Sequence, residues 1–223
     1  MIRAVVFDLD GVLIDSESVW DEVREAYVRE QGGTWRPEAQ RTMMGMSSTE
    51  WSAYLHDELG VARPPEAIND DIVGRMQRRY AEHLPLLPGA SAAVERMAAR
   101  WPLALASSSN RPIIDTVLET AGLRARFDVV ISSEEVGRGK PSPDVYLEAI
   151  RRLDVSAGEA VAVEDSSNGL RAAHAAGLHV IAVPNAHYPP AEDALAAAEL
   201  HLANVGELTT ERVQAMSTPT ASF

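Results

Sequence analysis

Asp8-Leu9-Asp10 is followed by Gly11 and preceded by an apolar run, Ile2 to Phe7, broken only by Arg3. Two carboxylates this close repel unless a cation or a proton relieves them. With Leu9 between them, a metal can take a side-chain oxygen from Asp8 and a backbone oxygen from Asp10, and hard oxygen ligands of this kind suit Mg²⁺. Further along stand Ser107, Lys140 and the acidic pair Glu164-Asp165; four carboxylates and one ammonium give a net charge of −3, which a divalent ion brings to −1. Unpaired acids gain nothing by clustering. A phosphoryl group, in contrast, needs this equipment. Mg²⁺ and a lysine neutralise its oxygens, and hydroxyl and backbone N–H donors hold it. One carboxylate can act as nucleophile, while a second carboxyl protonates the leaving oxygen and then takes a proton from water. Singly, each motif has a plainer reading. Asp8 and Asp10 would cap a turn, Ser107 would cap a helix, Lys140 would be a surface lysine, and Glu164-Asp165 would sit at a helix dipole. The chemical reading requires all of them in one place.

The elements predicted from sequence put them there. Ile2 to Phe7 reads as a strand buried on both faces. Strands are expected at Leu103–Ala106, Phe127–Ile131, Ala160–Val163 and Val180–Val183, with a short sixth over Leu200–Ala203, and helices of 9 to 13 residues lie between them. That alternation predicts an α/β fold, a doubly wound parallel sheet (Rossmann-like) with helices on both faces, and ligands in such sheets sit outside the carboxyl ends of the strands. Asp8, Asp10, Ser107, Lys140, Glu164 and Asp165 would all lie along that edge. Helices predicted at Glu17–Gln31, Pro37–Met44, Thr49–Leu59 and Pro65–His83 are more than a crossover between two strands needs. Residues 17–84 are therefore expected to be an inserted α-helical cap on a core formed by residues 1–16 and 85–216, with 217–223 as a flexible tail.

Bulk properties exclude several classes. A net charge of −13 with no Lys/Arg stripe disfavours nucleic-acid binding. The absence of cysteine removes disulfides, thiolate metal sites and thiol nucleophiles. No apolar run is long enough to span a bilayer and no signal-peptide pattern opens the chain, so no membrane partner and a cytoplasmic location are expected. The oligomeric state is open, with a monomer as the default.

The ordered set Phe7-Asp8-Leu9-Asp10-Gly11-Val12-Leu13, Ala106-Ser107-Ser108, Gly139-Lys140-Pro141-Ser142-Pro143-Asp144 and Glu164-Asp165-Ser166-Ser167-Asn168-Gly169 resembles the four motifs of the haloacid dehalogenase superfamily. The helical insert resembles the cap of the subgroup containing β-phosphoglucomutase and sugar-phosphate phosphatases. The resemblance implies roles. Asp8 would be nucleophile and metal ligand. Asp10 would be general acid/base and ligate Mg²⁺ through its carbonyl. Ser107 and the Ser108 N–H would bind phosphoryl oxygens, and Lys140 would offset charge on nucleophile and phosphate. Asp165 would complete the metal site, with Glu164 as a second or outer acid. The implied substrate is a small phosphorylated metabolite.

An acid at position 10 disfavours dehalogenation, because a leaving alkoxide needs a proton and a halide does not. The mutases carry a cap histidine and a cap arginine where Trp20 and Ser48 stand here, so water is expected to win and hydrolysis is favoured. A mutase with Arg41 as substitute cation is the alternative, and a phospho-accepting signalling domain a more distant one. Gly45, Met46, Ser47 and Ser48 form the loop expected to select substrate. Trp20, Trp35, Trp51 and Tyr54 are expected to form the cap's small core. The six histidines have no metal-ligand spacing, and of these only His187, with Tyr188, is expected near the site edge.

Overall fold

The computed structural model describes residues 1–43, 46–185 and 188–216. Six strands, β1 (Ala4–Phe7), β2 (Leu103–Ser107), β3 (Val129–Ser132), β4 (Ala160–Glu164), β5 (His179–Ala182) and β6 (Leu200–His201), form one sheet in the order β3-β2-β1-β4-β5-β6. Every pairing is parallel. β1 is central and solvent-inaccessible along its whole length, which explains why its sequence is continuously apolar rather than alternating. The chain runs outward from β1 in both directions, so the strand order reverses beside it and opens the crevice where ligands bind in such sheets.

The two faces of the sheet are packed differently. Val5, Phe7, Leu103, Leu105 and Val163 point to one face, and Ala4, Val6, Ala104, Ala106 and Ala162 to the other. In chain order the first eight helices are α1 (Glu17–Glu30), α2 (Ala39–Met43), α3 (Ser48–Asp57), α4 (Pro65–Glu82), α5 (Ala90–Ala98), α6 (Arg111–Thr120), α7 (Asp144–Arg152) and α8 (Ser167–Ala175). The large-residue face takes α5 and α6, and the apolar interior of α1–α4, Leu55, Ile72 and Tyr80 among it, belongs to the same cluster. The alanine-rich face takes α7 and α8 through Tyr146, Ala149, Leu170 and Ala173. Small strand residues let these two helices approach closely, which matters because both carry site residues.

α1–α4 lie between β1 and α5. The two connections to this block pair with each other: Asp15 N–H donates to Pro85 O at 2.8 Å, Leu87 N–H donates to Leu13 O at 2.9 Å, and Ile14 bridges Leu86 in antiparallel fashion. Entry and exit are thus adjacent, as short linkers require.

Several boundaries differ from the sequence expectation. β1 starts at Ala4 rather than Ile2, and β3 at Val129 rather than Phe127. Phe127 instead packs edge-on against Phe7, ring centroids 6.1 Å apart, and the Asp128 carboxylate accepts from Leu103 N–H at 3.0 Å, so both residues are used before the ladder begins. β2 and β4 run one residue further than expected. Ser107 pairs in register with Ser132 and Glu164 with Ala182, so both are held by the sheet itself. Met44, Gly45, Ala186, His187 and 217–223 lie outside the described residues.

Candidate active site

Asp8 leaves β1 with its N–H on Val163 O at 3.0 Å. The chain then turns tightly, with Gly11 N–H donating to Ile14 O at 2.8 Å and Leu13 N–H to Leu9 O at 2.8 Å. Gly11 has φ +74°, and a Cβ there would lie 1.8 Å from Asp165 Oδ2. Glycine is therefore required twice, for backbone freedom and to leave space for a carboxylate arriving from β4.

Lys140 reaches in from the loop before α7 with its side chain buried. Its Nζ donates to Glu164 Oε1 at 2.5 Å and to Ala106 O at 3.0 Å, and stands 2.9 Å from Asp8 Oδ1. Glu164 is wholly inaccessible. Its Oε1 also accepts from Tyr146 Oη at 2.8 Å, and its Oε2 accepts from the backbone N–H groups of Asp165 (3.0 Å) and Ser166 (3.2 Å) and from Ser166 Oγ (3.2 Å). A Cβ at Gly169 would fall 1.8 Å from Glu164 Oε1, so the first turn of α8 closes over this carboxylate only because residue 169 has no side chain.

Asp10 is held by three donors: Ser109 Oγ to Oδ2 at 2.7 Å, and longer contacts from Ser107 Oγ to Oδ2 and from Trp20 Nε1 to Oδ1, both 3.4 Å. Ser107 Oγ is buried and also accepts from Ser109 N–H at 3.0 Å. It supports Asp10 and Ser109, while Ser108 and Ser109 face the cavity.

The electrostatics show what the arrangement lacks. Burial, then the neighbouring Glu164, pushes the Asp8 carboxyl up to about 8, with Lys140 opposing. Asp165 is raised strongly by the same causes, burial first, then Glu164 and Asp8. Burial alone would lower Lys140, but the carboxylates of Asp8 and Glu164 outweigh it and the ammonium is held charged. One ammonium does not balance these acids. Carboxylate oxygens of Asp8, Glu164 and Asp165 lie within 4.8 Å of one another, close enough to share an ion. An all-oxygen donor set of this kind suits a hard divalent cation. Because both Glu164 oxygens already accept hydrogen bonds, Asp8 and Asp165 are the two with free lone pairs facing such an ion.

Asp8, Asp10, Lys140 and Asp165 form the floor of a cavity of about 550 Å³ roofed by the helical block through Trp20, Arg24, Arg41 and Trp51. Trp20 and Trp51, expected as core, do pack on each other with ring centroids 6.1 Å apart, but they also line the cavity. Of the expected selecting loop, Met46 lines the cavity. Ser47 is the N-cap of α3 in a capping box with Glu50, and Ser48 Oγ donates to Glu134 Oε1 at 2.7 Å across to the sheet domain's side. Gly45 lies outside the described residues. Tyr188 lines the cavity as expected for the site edge, while His187 is outside the described residues. Sequence reasoning missed Ser109, Tyr146, Glu17 and Arg24. For Arg24 a signal existed: it stands four residues after Trp20 on α1, the spacing of one helix face.

With that geometry in hand, comparison with known proteins is direct. The family model for haloacid dehalogenase-like hydrolases matches residues 2–177. The chain belongs to this family. Among haloacid dehalogenase-like relatives, the phosphorylated carbohydrates phosphatase of Thermotoga maritima is 32% identical over 181 residues, covering 81% of this chain and 84% of that protein. The bifunctional riboflavin kinase/FMN phosphatase of Arabidopsis thaliana is 31% identical over 183 residues, 81% of this chain but 48% of that protein, so the chain spans about half that relative's length. The crystal structure of CbbY from Rhodobacter sphaeroides in complex with phosphate has the same haloacid dehalogenase-like fold, with TM-score 0.83 and 31% identity over 93% of this chain and 96% of that one. No helix among the described residues is long and apolar enough to cross a membrane.

Proposed function

We propose that this chain is a Mg²⁺-dependent phosphatase that hydrolyses a small phosphorylated metabolite through an aspartyl phosphate on Asp8, with residues 17–84 acting as a cap over a core of 1–16 and 85–216. The observation that carries the reading is the Asp8–Lys140 contact of 2.9 Å, set beside Asp165 on the floor of a roofed cavity. The phosphatase named among its relatives and the phosphate complex of a similar structure point the same way.

In the first step an Asp8 oxygen forms a bond to phosphorus as the bond from phosphorus to the leaving oxygen breaks, and Asp10 gives its proton to that oxygen. In the second step water attacks the same phosphorus, Asp10 takes its proton, and the bond from phosphorus to Asp8 breaks to release inorganic phosphate. Lys140 offsets charge on Asp8 and on the transferring oxygens, and Ser108, on the cavity side of the serine loop, offers donors to them. Mg²⁺, held by Asp8, Asp165 and the Asp10 carbonyl, would supply charge neutralisation and Lewis-acid polarisation of the phosphoryl group. Hydrolysis is preferred to mutase chemistry because neither Trp20 nor Ser48, at the positions of the mutase cap histidine and arginine, supplies a cation, and Ser48 is bonded to Glu134; product analysis separates the two, since Arg24 and Arg41 also line the cavity. All these side chains come from one copy of the chain, so a monomer suffices.

The test is a phosphate-release screen over sugar phosphates, nucleotides and other small phosphomonoesters with Mg²⁺. Release is expected to stop with EDTA and with Asp8→Asn. Turnover that survives Asp8→Asn refutes the nucleophile, and an isomerised sugar phosphate in place of free phosphate makes the mutase the better reading.

A further inference from the structure

Arg24 is a buried cation of the roof that the proposed reaction leaves unused. It lies on α1 at 6% exposure, and its guanidinium lines the cavity. Such a group is almost always paired when buried. Here no carboxylate among the described residues lies within the 4.0 Å of an ion pair. Its single hydrogen bond among those residues is a long one from Nη1 to Gln40 Oε1, 3.4 Å, and its Nε has no partner. Two indoles hold it instead, with Cζ 4.3 Å from the ring centre of Trp20 and 5.0 Å from that of Trp51. Those contacts hold the fork in place and leave Nε without an acceptor among the described residues.

The position is as informative as the lack of partners. The Trp20 indole that carries Arg24 on its face donates through its Nε1 to Asp10, so the guanidinium stands one indole away from the residue proposed to protonate the leaving group. A leaving group protonated by Asp10 would lie in the same cavity that Arg24 lines. Arg41, exposed on α2, adds a second cation to the same cavity wall. Glu17 also lines the cavity and, with Asp10, favours the charged guanidinium against burial, but it is beyond ion-pair distance and its Oε2 is held by Gln40 Nε2 at 2.7 Å. A planar, always-charged fork with open donors is suited to an oxyanion.

Resting on the phosphatase reading above, we infer that Arg24 is a specificity-determining residue, and that the substrate class is a phosphomonoester whose leaving group carries a second oxyanion, a carboxylate or a further phosphate, received by the unpaired edge of the Arg24 guanidinium. A buried arginine without this ligand is left undercompensated, so substrates with neutral far ends are disfavoured relative to charged ones. This is discrimination by an unmet donor.

The full chain with Mg²⁺ is assayed for phosphate release on matched probes. Glycerol 3-phosphate is set against 3-phosphoglycerate, and glucose 6-phosphate against 6-phosphogluconate and glucose 1,6-bisphosphate. In at least one set the doubly anionic probe is expected to exceed its neutral-ended partner by about tenfold or more in kcat/KM, the size of one hydrogen bond to a charged group. Whether the carboxylate or the bisphosphate probe leads identifies the oxyanion. Arg24→Gln is expected to cut that ratio by about tenfold, and Arg24→Lys to retain part of it. Circular dichroism verifies that each variant folds, and the wild-type ratio alone decides the matter if Arg24→Gln does not. Equal turnover of neutral and charged probes overturns the inference, as does an Arg24→Gln variant that lowers all probes by one common factor. A second arm needs no turnover: calorimetric binding of the same probes to Asp8→Asn protein, with and without Arg24→Gln. If no probe releases phosphate, the phosphatase reading fails. If binding to Asp8→Asn protein shows no preference for the doubly anionic probes, the Arg24 inference fails whatever the phosphate assay shows.

Discussion

Lys140 and Glu164 form a buried ion pair, Nζ to Oε1 2.5 Å, in which the carboxylate has no exposed surface. The same ammonium is 2.9 Å from Asp8, so one cation serves both a structural acid and the proposed nucleophile. Lys140→Met removes it and leaves buried carboxylates uncompensated. The expected cost is about 3–5 kcal/mol near neutral pH, read by urea denaturation in EDTA, together with loss of phosphate release. A stability unchanged from wild type would show that the pair contributes nothing.

Tyr146 Oη donates to Glu164 at 2.8 Å from the buried face of α7. Tyr146→Phe keeps the ring and removes one hydrogen bond to a charged acceptor. A loss of about 1.5–3 kcal/mol is expected, with a fall in kcat larger than any change in KM, because Glu164 positions Lys140 and makes no contact with substrate. A change confined to KM would contradict that assignment.

Stability of the metal-free protein should fall as pH rises. The ordinary value for Asp8 is 3.8 and its folded value is about 8, and Asp165 is raised in the same direction. Between those limits the folded state binds more protons than the unfolded chain, so stability present below the unfolded value is lost as pH rises toward the folded one. Mg²⁺ supplies the missing charge and competes with those protons. Scanning calorimetry should therefore give a larger Tm gain from Mg²⁺ at about pH 8 than at about pH 5. An equal gain at both would separate the ion from these carboxyls.

Gly11→Ala places a methyl 1.8 Å from Asp165 Oδ2 at a backbone φ of +74°. The strain and the displaced carboxylate together are expected to cost about 1–3 kcal/mol and to raise the Mg²⁺ concentration needed for half-maximal activity. Titration of activity against Mg²⁺ measures it; an unshifted midpoint would mean that Asp165 is not a ligand.

Ser48 Oγ and Asn110 Nδ2 both donate to Glu134 Oε1 at 2.7 Å, and Asn110 Nδ2 also reaches Asn69 Oδ1 at 3.0 Å. These bonds tie α3 and α4 to the loops after β2 and β3. Ser48→Ala removes one bond to a charged acceptor and is expected to raise KM by about tenfold or less with kcat less affected, as a less populated closed form predicts. Steady-state kinetics on any turned-over substrate will tell.

The chain's own order of residues determined the doubly wound sheet, the helical insert after β1 and the gathering of Asp8, Asp10, Lys140 and Asp165. Buried parallel strands write themselves as continuous apolar runs, and polar residues that end such runs share an edge by topology alone. Tertiary structure decided the rest. That Ser109 lines the cavity while Ser107, whose Oγ also accepts from Ser109 N–H, does not is set by how the loop after β2 folds over Asp10, and whether Glu164 can reach an ion depends on five donors from Lys140, Tyr146 and the turn after β4. Ser48 was legible as a loop residue, but its bond to Glu134 spans 86 positions. Arg24 reads in sequence as a charge on the same helix face as Trp20. Only the packing of that helix over the sheet, with Trp20 and Trp51 beneath its guanidinium, turns it inward, because helical periodicity specifies a face and not what that face will meet.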